Sequence, residues 1–130
     1  MMARLAVAAA MATLLGVGPV QAASGRGELR EQWEFGIEMA RRGAWKEALF
    51  RFRRSVELDP ENALLHNNLA VAHESIGDYR SAGREYRRAL ELDPKNERIR
   101  ANHDSFLTFY GDLIDENESR AETKAPAVSP

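Results

Sequence analysis

Three histidines, His66, His73 and His103, are the side chains here best suited to hold a metal ion or move a proton. On one helix, His66 and His73 stand two turns apart, about 10 Å along the axis, too far for ordinary shared coordination. There is no Cys to complete a ligand set. The string His73-Glu74-Ser75-Ile76-Gly77 also lacks the second His of a zinc-protease motif. Ser55, Ser75, Ser81 and Ser105 have no glycine-rich nucleophile turn beside them, and no phosphate-cradling glycine loop occurs. Glu57/Asp59 and Glu91/Asp93 form matching carboxylate pairs, and Arg53-Arg54 and Arg87-Arg88 recur in the same way. A helix end that recurs explains the carboxylates, and exposed ion pairs to Glu57 and Glu91, four residues on, explain the arginines. The chemistry therefore points away from an enzyme, with no catalytic residue, no metal and no cofactor, and the histidines read as partly buried packing residues.

The offset behind these coincidences is 34 residues: VELDPEN at 56–62 comes back as LELDPKN at 90–96. A Pro after a helical run is a stop signal, because it lacks the N–H and clashes with the preceding turn. Laid over one another, residues 29–62 and 63–96 agree where two helices would meet. Phe35 matches Leu69, Gly36 matches Ala70, Gly43 matches Gly77 and Trp45 matches Tyr79. Ala48 likewise matches Ala82, Phe52 matches Tyr86, and Ser55 matches Ala89. Each unit reads as helix, Gly turn, helix, Pro stop. Gly43 and Gly77 supply the left-handed conformation that helix C-termini often need. Asp78 is placed to cap the following helix, whereas Ala44 cannot. Small residues at 36 and 70, opposite small residues at 48 and 82, allow close helix approach. Phe35, Trp45 and Phe52 in one unit, and Leu69, Tyr79 and Tyr86 in the other, are expected to fill the space around those contacts.

Phe35-Gly36, Ala48, Phe52 and Pro60, followed by Leu69-Ala70, Ala82, Tyr86 and Pro94, resemble the tetratricopeptide repeat (TPR) family. Gln32 and His66 stand at the family's first aromatic position, and Met39 and His73 at its Tyr. The resemblance implies an all-α fold, a right-handed α-solenoid of two tetratricopeptide helix hairpins, TPR 1 at 29–62 and TPR 2 at 63–96. Ile99, His103, Phe106, Leu107, Tyr110 and Leu113/Ile114 continue the helical spacing, but Glu116 and Arg120 occupy the later repeat positions. Residues 97–117 therefore read as a capping helix, an incomplete third repeat.

Residues 1–22 have the layout of a cleavable signal peptide: Arg4, an apolar run from Leu5 to about Leu15, a Gly16/Gly18/Pro19 break and small residues at Val20 and Ala22. A retained anchor is the alternative. Residues 23–28 read as a flexible N-terminal linker and 118–130 as a disordered Pro/Ala-rich tail. These features predict a periplasmic or secreted protein with no membrane span after signal removal. A formal net charge of −2 gives no electrostatic case for nucleic acid.

In the resembled family the first helices of successive units line a concave groove for an extended or helical peptide. The matching residues here are Arg30, Trp33 and Ile37, then Leu64, Asn67, Asn68, Val71 and Glu74, with Arg98 from the cap. Members that clamp the C-terminal carboxylate of heat-shock chaperones use Lys and Asn where this chain has Trp33 and Ile37, and only Asn68 fits, so that ligand is not expected. Trp33, Ile37, Leu64 and Val71 instead make an apolar strip edged by Arg30, Arg98 and Glu74. The expected function is a non-catalytic scaffold of the cell envelope that binds a protein or peptide partner. The alternative is a structural self-association module, a homo-oligomer without separate ligand, because two full repeats are fewer than the three such stacks usually need.

Overall fold

The computed structural model describes residues 19–124, with side chains over residues 24–114. These residues form five helices, α1 (Pro19–Arg41), α2 (Trp45–Leu58), α3 (Ala63–Ser75), α4 (Tyr79–Leu92) and α5 (Glu97–Lys124). Each packs against its neighbours in the chain, α1 on α2, α2 on α3, α3 on α4 and α4 on α5, which is a solenoid of helix hairpins. The body of the expected signal segment, residues 1–18, lies outside the described residues, and its cut site after Ala22 falls within α1.

The two hairpins close in the same way. Gly43 and Gly77 take positive φ values of 73° and 84°. Behind them, the Ala44 and Asp78 N–H groups each donate to a carbonyl five residues back, Met39 and His73, at 2.9 Å. That pattern satisfies carbonyls a helix end leaves open. Asp78 then caps α4 by accepting from the Ser81 N–H at 3.2 Å, and Ala44 offers α2 no side-chain cap. The recurring Asp-Pro-x-Asn phrase does more than stop a helix. The Asn62 amide donates to Asp59 Oδ2 at 3.0 Å while its Oδ1 accepts from the Leu64 N–H at the start of α3. Asn96 does the same with Asp93 and the Ile99 N–H ahead of α5.

Two clusters hold the stack. Ala48, Phe52, Leu69 and Ala72 join α2 to α3, and Ala70, Ala82, Tyr86, Phe106 and Ile114 join α3, α4 and α5. Gly36 is required by close approach, since a Cβ there would sit 2.6 Å from Phe52 Cε1. Phe35 does not fill an interhelix space as expected. It is 42% exposed, against 4% for its repeat equivalent Leu69, and the Arg51 guanidinium lies over its ring at 4.5 Å. Leu69 is covered by α2 of the preceding hairpin, and α1 has no preceding hairpin among the described residues. Leu107 and Leu113 are likewise exposed instead of buried, because α5 buries only the stripe through Ile99, Phe106 and Ile114.

The expected linker and the first part of the expected tail are helical. Residues 23–28 belong to α1, where Glu28 accepts from Arg54 Nη2 at 2.7 Å and ties the start of the helix to α2. Residues 118–124 belong to α5, consistent with the helix-forming Glu, Arg, Ala and Lys there.

Candidate functional site

A cleft of about 330 Å³ opens where α1, α3 and the first turn of α5 converge. α1 contributes Arg26, Leu29, Arg30, Trp33 and Ile37, α3 contributes Leu64, Leu65 and Asn68, Asn62 lies at the α3 N-cap, and α5 adds Arg98. The α1 residues follow i, i+3, i+4, i+7 and i+11 spacing, so one helix face supplies that wall. Trp33 is 40% exposed and Leu64 is also exposed, an arrangement that leaves large apolar surface open at the centre of a concavity. The three arginines are all exposed at its rim.

Of the residues singled out in the sequence, Arg30, Trp33, Ile37, Leu64, Asn68 and Arg98 come together here. Asn67, Val71 and Glu74 do not. Asn67 is buried and accepts from the Asn102 amide at 3.0 Å, a bond that ties α3 to α5. Val71 packs against the Tyr86 and Phe106 cluster. Glu74 accepts from the Tyr86 hydroxyl at 2.8 Å. Burial, reinforced by Glu74, pushes the Tyr86 hydroxyl far above the ordinary phenol range, so it stays a donor. Arg26, Leu29, Asn62 and Leu65 are added by the structure. Arg26 was hidden by reading residues 23–28 as a linker, although its spacing to Trp33 is helical, and Leu29, already inside TPR 1, was not singled out.

The histidines serve the interior. His66 is buried between helices and bridges Glu85 at 2.7 Å and the Pro60 carbonyl at 2.8 Å. His73 is buried with Nδ1 3.2 Å from Asp78, and His103 meets the Tyr86 ring edge-on at 6.1 Å between centroids. Burial lowers the pKa of both His73 and His103 below the usual imidazole value. Among the described residues no group of three or more His, Cys, Asp or Glu is placed to hold a metal ion.

A family model described as "Tetratricopeptide repeat" matches residues 63–96, and one described as "TPR repeat" matches residues 38–77. No curated protein matches the chain. Among solved structures, the second TPR domain of the human RPAP3 protein, in complex with the HSP70 peptide SGPTIEEVD, is 26% identical with a TM-score of 0.62. That match covers 76% of this chain and 82% of the other. The second TPR of Spaghetti (RPAP3), bound to the HSP90 peptide SRMEEVD, is 24% identical with a TM-score of 0.61, covering 78% and 94% of the two chains. At that identity the second likeness speaks for the fold. With paired helices at a 34-residue period, overlapping repeat matches and solved repeat domains of the same shape, residues 38–96 are tetratricopeptide repeats.

Proposed function

We propose that this protein is a non-catalytic scaffold that seats a peptide segment of a partner protein in the cleft between α1, α3 and α5. The observation that carries this reading is Trp33, which lines a concave, largely apolar surface, stays 40% exposed and lies outside both core clusters. Large aromatics in such positions dominate binding energy at many interfaces. The human RPAP3 domain, with its bound peptide, supports peptide binding as the kind of activity. Trp33 and Ile37 occupy the places where chaperone-tail binders carry Lys and Asn, so the ligand here differs from that tail.

The setting we propose is the cell envelope, on the strength of the apolar run from Leu5, the Gly/Pro break and the small residues before Ala23. Among the described residues no helix is long and apolar enough to cross a membrane. N-terminal sequencing from the native host tests export: a chain beginning at Ala23 or Ser24 supports it, and an intact Met1 or Met2 overturns it.

Panning a random-peptide display library against the protein tests the binding reading. Wild type should enrich peptides, and Trp33→Ala should abolish enrichment, a loss of about thirtyfold or more in affinity, while the melting temperature stays nearly unchanged. Enrichment that ignores Trp33, or a large fall in melting temperature with capture intact, contradicts it. Self-association is a second reading, favoured by Phe109, 73% exposed, with the exposed Leu113 one turn on along α5. A monomer by light scattering across concentrations removes that reading.

A further inference from the structure

The charges around the cleft are one-sided. Three arginines line it and no Asp or Glu does, although acidic residues outnumber basic ones in the chain as a whole, 20 to 18. Arg30 has only an exposed neighbour, Glu34, at 3.6 Å. Arg26 and Arg98 make no ion pair among the described residues, whereas Arg42, Arg51, Arg54 and Arg88 each do. Arg26 and Arg98 are therefore free to pair with a ligand, and Arg30 carries only one long, exposed pair.

Their placement matters as much as their sign. Arg26 and Arg30 stand one helical turn apart on α1, about 6 Å along the axis, and Arg98 comes from α5. The cations are thus spread over two walls, with Leu64 and Asn68 of α3 lining the cleft as well and Trp33 and Ile37 continuing the α1 wall one to two turns beyond Arg30. A terminal carboxylate calls for donors that converge on one point. Cations on two sides of an apolar floor call for charge on both sides of an apolar side chain. The Asn68 amide also lines the cleft and makes no hydrogen bond among the described residues, which leaves it to pair with a peptide backbone. A volume of about 330 Å³ lies at the small end of ligand sites and fits a side chain with its flanking backbone, not a whole domain.

We infer that the cleft recognises an internal acidic segment in which one large apolar side chain, seated against Trp33, is flanked on both sides by carboxylates that pair with Arg26 and Arg30 on one wall and Arg98 on the other. This rests on the peptide-binding reading above and narrows it. Guanidinium–carboxylate pairs are directional and can be bidentate, so they fix the register of the segment while the apolar residue supplies burial.

The probes are four short synthetic peptides titrated by calorimetry: an acetylated and amidated peptide with Phe between glutamates, the same with Lys for every Glu, the same with Ala for Phe, and the first with a free C-terminal carboxylate. The blocked acidic peptide should bind, and the free-carboxylate form should match it within about twofold. The Lys and Ala peptides should each bind at least about tenfold more weakly, the loss expected for one charged hydrogen bond or one buried side chain. Raising salt from about 0.05 to 0.5 M should weaken the acidic peptide, because exposed pairs are screened. Arg98→Glu should weaken it by about tenfold or more, with the melting temperature unchanged. Equal binding of the Lys peptide overturns the acidic proposal, and if that binding still needs Trp33 the peptide-binding reading survives. Binding only by the free-carboxylate form overturns the internal-segment proposal. Equal binding of the Ala peptide overturns the apolar centre. Failure of all four, together with library peptides that enrich through Trp33, overturns the proposal alone, whereas failure of both removes the groove reading as well.

Discussion

The two hairpins carry nearly the same sequence signals and use them differently. In the second, Leu69 is buried under α2 and His66 joins Glu85 across the hairpin at 2.7 Å. In the first, the equivalent positions hold Phe35, which is exposed, and Gln32, which accepts from Arg51 at 3.1 Å. The polar pair occupies the same two sites in both units, so the repeat geometry is common to them. What differs is the neighbour. Position in the stack, more than residue type, decides whether an apolar side chain enters the core, and Arg51 covers at the open end part of what a preceding hairpin would cover.

Substitutions at equivalent sites can break that comparison. Leu69→Ala should cost about 2–5 kcal/mol in denaturant unfolding, as buried large-to-small changes do. Phe35→Ala should cost no more than about 1 kcal/mol, the scale of an exposed cation–π contact. Equal losses would show that the first hairpin is as enclosed as the second. The next largest contrast concerns glycines. Gly36→Ala forces a methyl against the buried Phe52 ring and should cost about 1–3 kcal/mol. Gly83→Ala meets Phe106 Cε1 at 3.4 Å and Ile114 at 3.5 Å, near ordinary contact, and should gain about 0.5–1 kcal/mol from helix propensity. Thermal unfolding of the two variants should move in opposite directions. Asn62→Ala and Asn96→Ala should each lose about 1 kcal/mol by removing a cap, and near-equality of the two would confirm that the turn is used alike in both units.

A smaller effect follows from pH. His73 and His103 have pKa values lowered by burial in the folded state, while an unfolded His titrates near about 6.5. As pH falls through about 6.5 the unfolded chain takes up protons that the folded chain does not, so stability falls. The melting temperature should therefore drop between pH 7.5 and 6. His73→Leu should flatten that slope, and a slope unchanged in this variant would show that the ring is not kept neutral by its burial.

Much of the architecture was legible because it rests on local signals. The 34-residue period, Gly43 and Gly77 as helix ends, Asp78 as a cap and the small residues at 48, 70 and 82 all act within a few residues or across one hairpin. The exposure of Phe35, Leu107 and Leu113 was not legible, since it depends on which helices among the described residues pack against their flanks. Ser24, Gly25 and Gly27 made residues 23–28 look like a linker, and the Glu28–Arg54 pair that anchors them spans 26 positions of sequence. That error also concealed Arg26 in the cleft. Asn67, Val71 and Glu74 were assigned to the groove by their match to the resembled family's groove positions, which could not reveal the Asn102 and Tyr86 partners that draw Asn67 and Glu74 inward.

In the proposed function, binding belongs to the cleft and not to the apolar surfaces exposed on the outer flanks of the first hairpin and α5. Amide and indole NMR shifts of labelled protein, titrated with a library-selected peptide, test this most directly. Changes are expected at the Trp33 indole N–H and around Ile37, Leu64, Asn68 and Arg98, with the exposed Phe35, Phe50 and Phe109 unmoved. Shifts centred on Phe35 and Phe50, or on Leu107, Phe109 and Leu113, with the cleft silent, would contradict it.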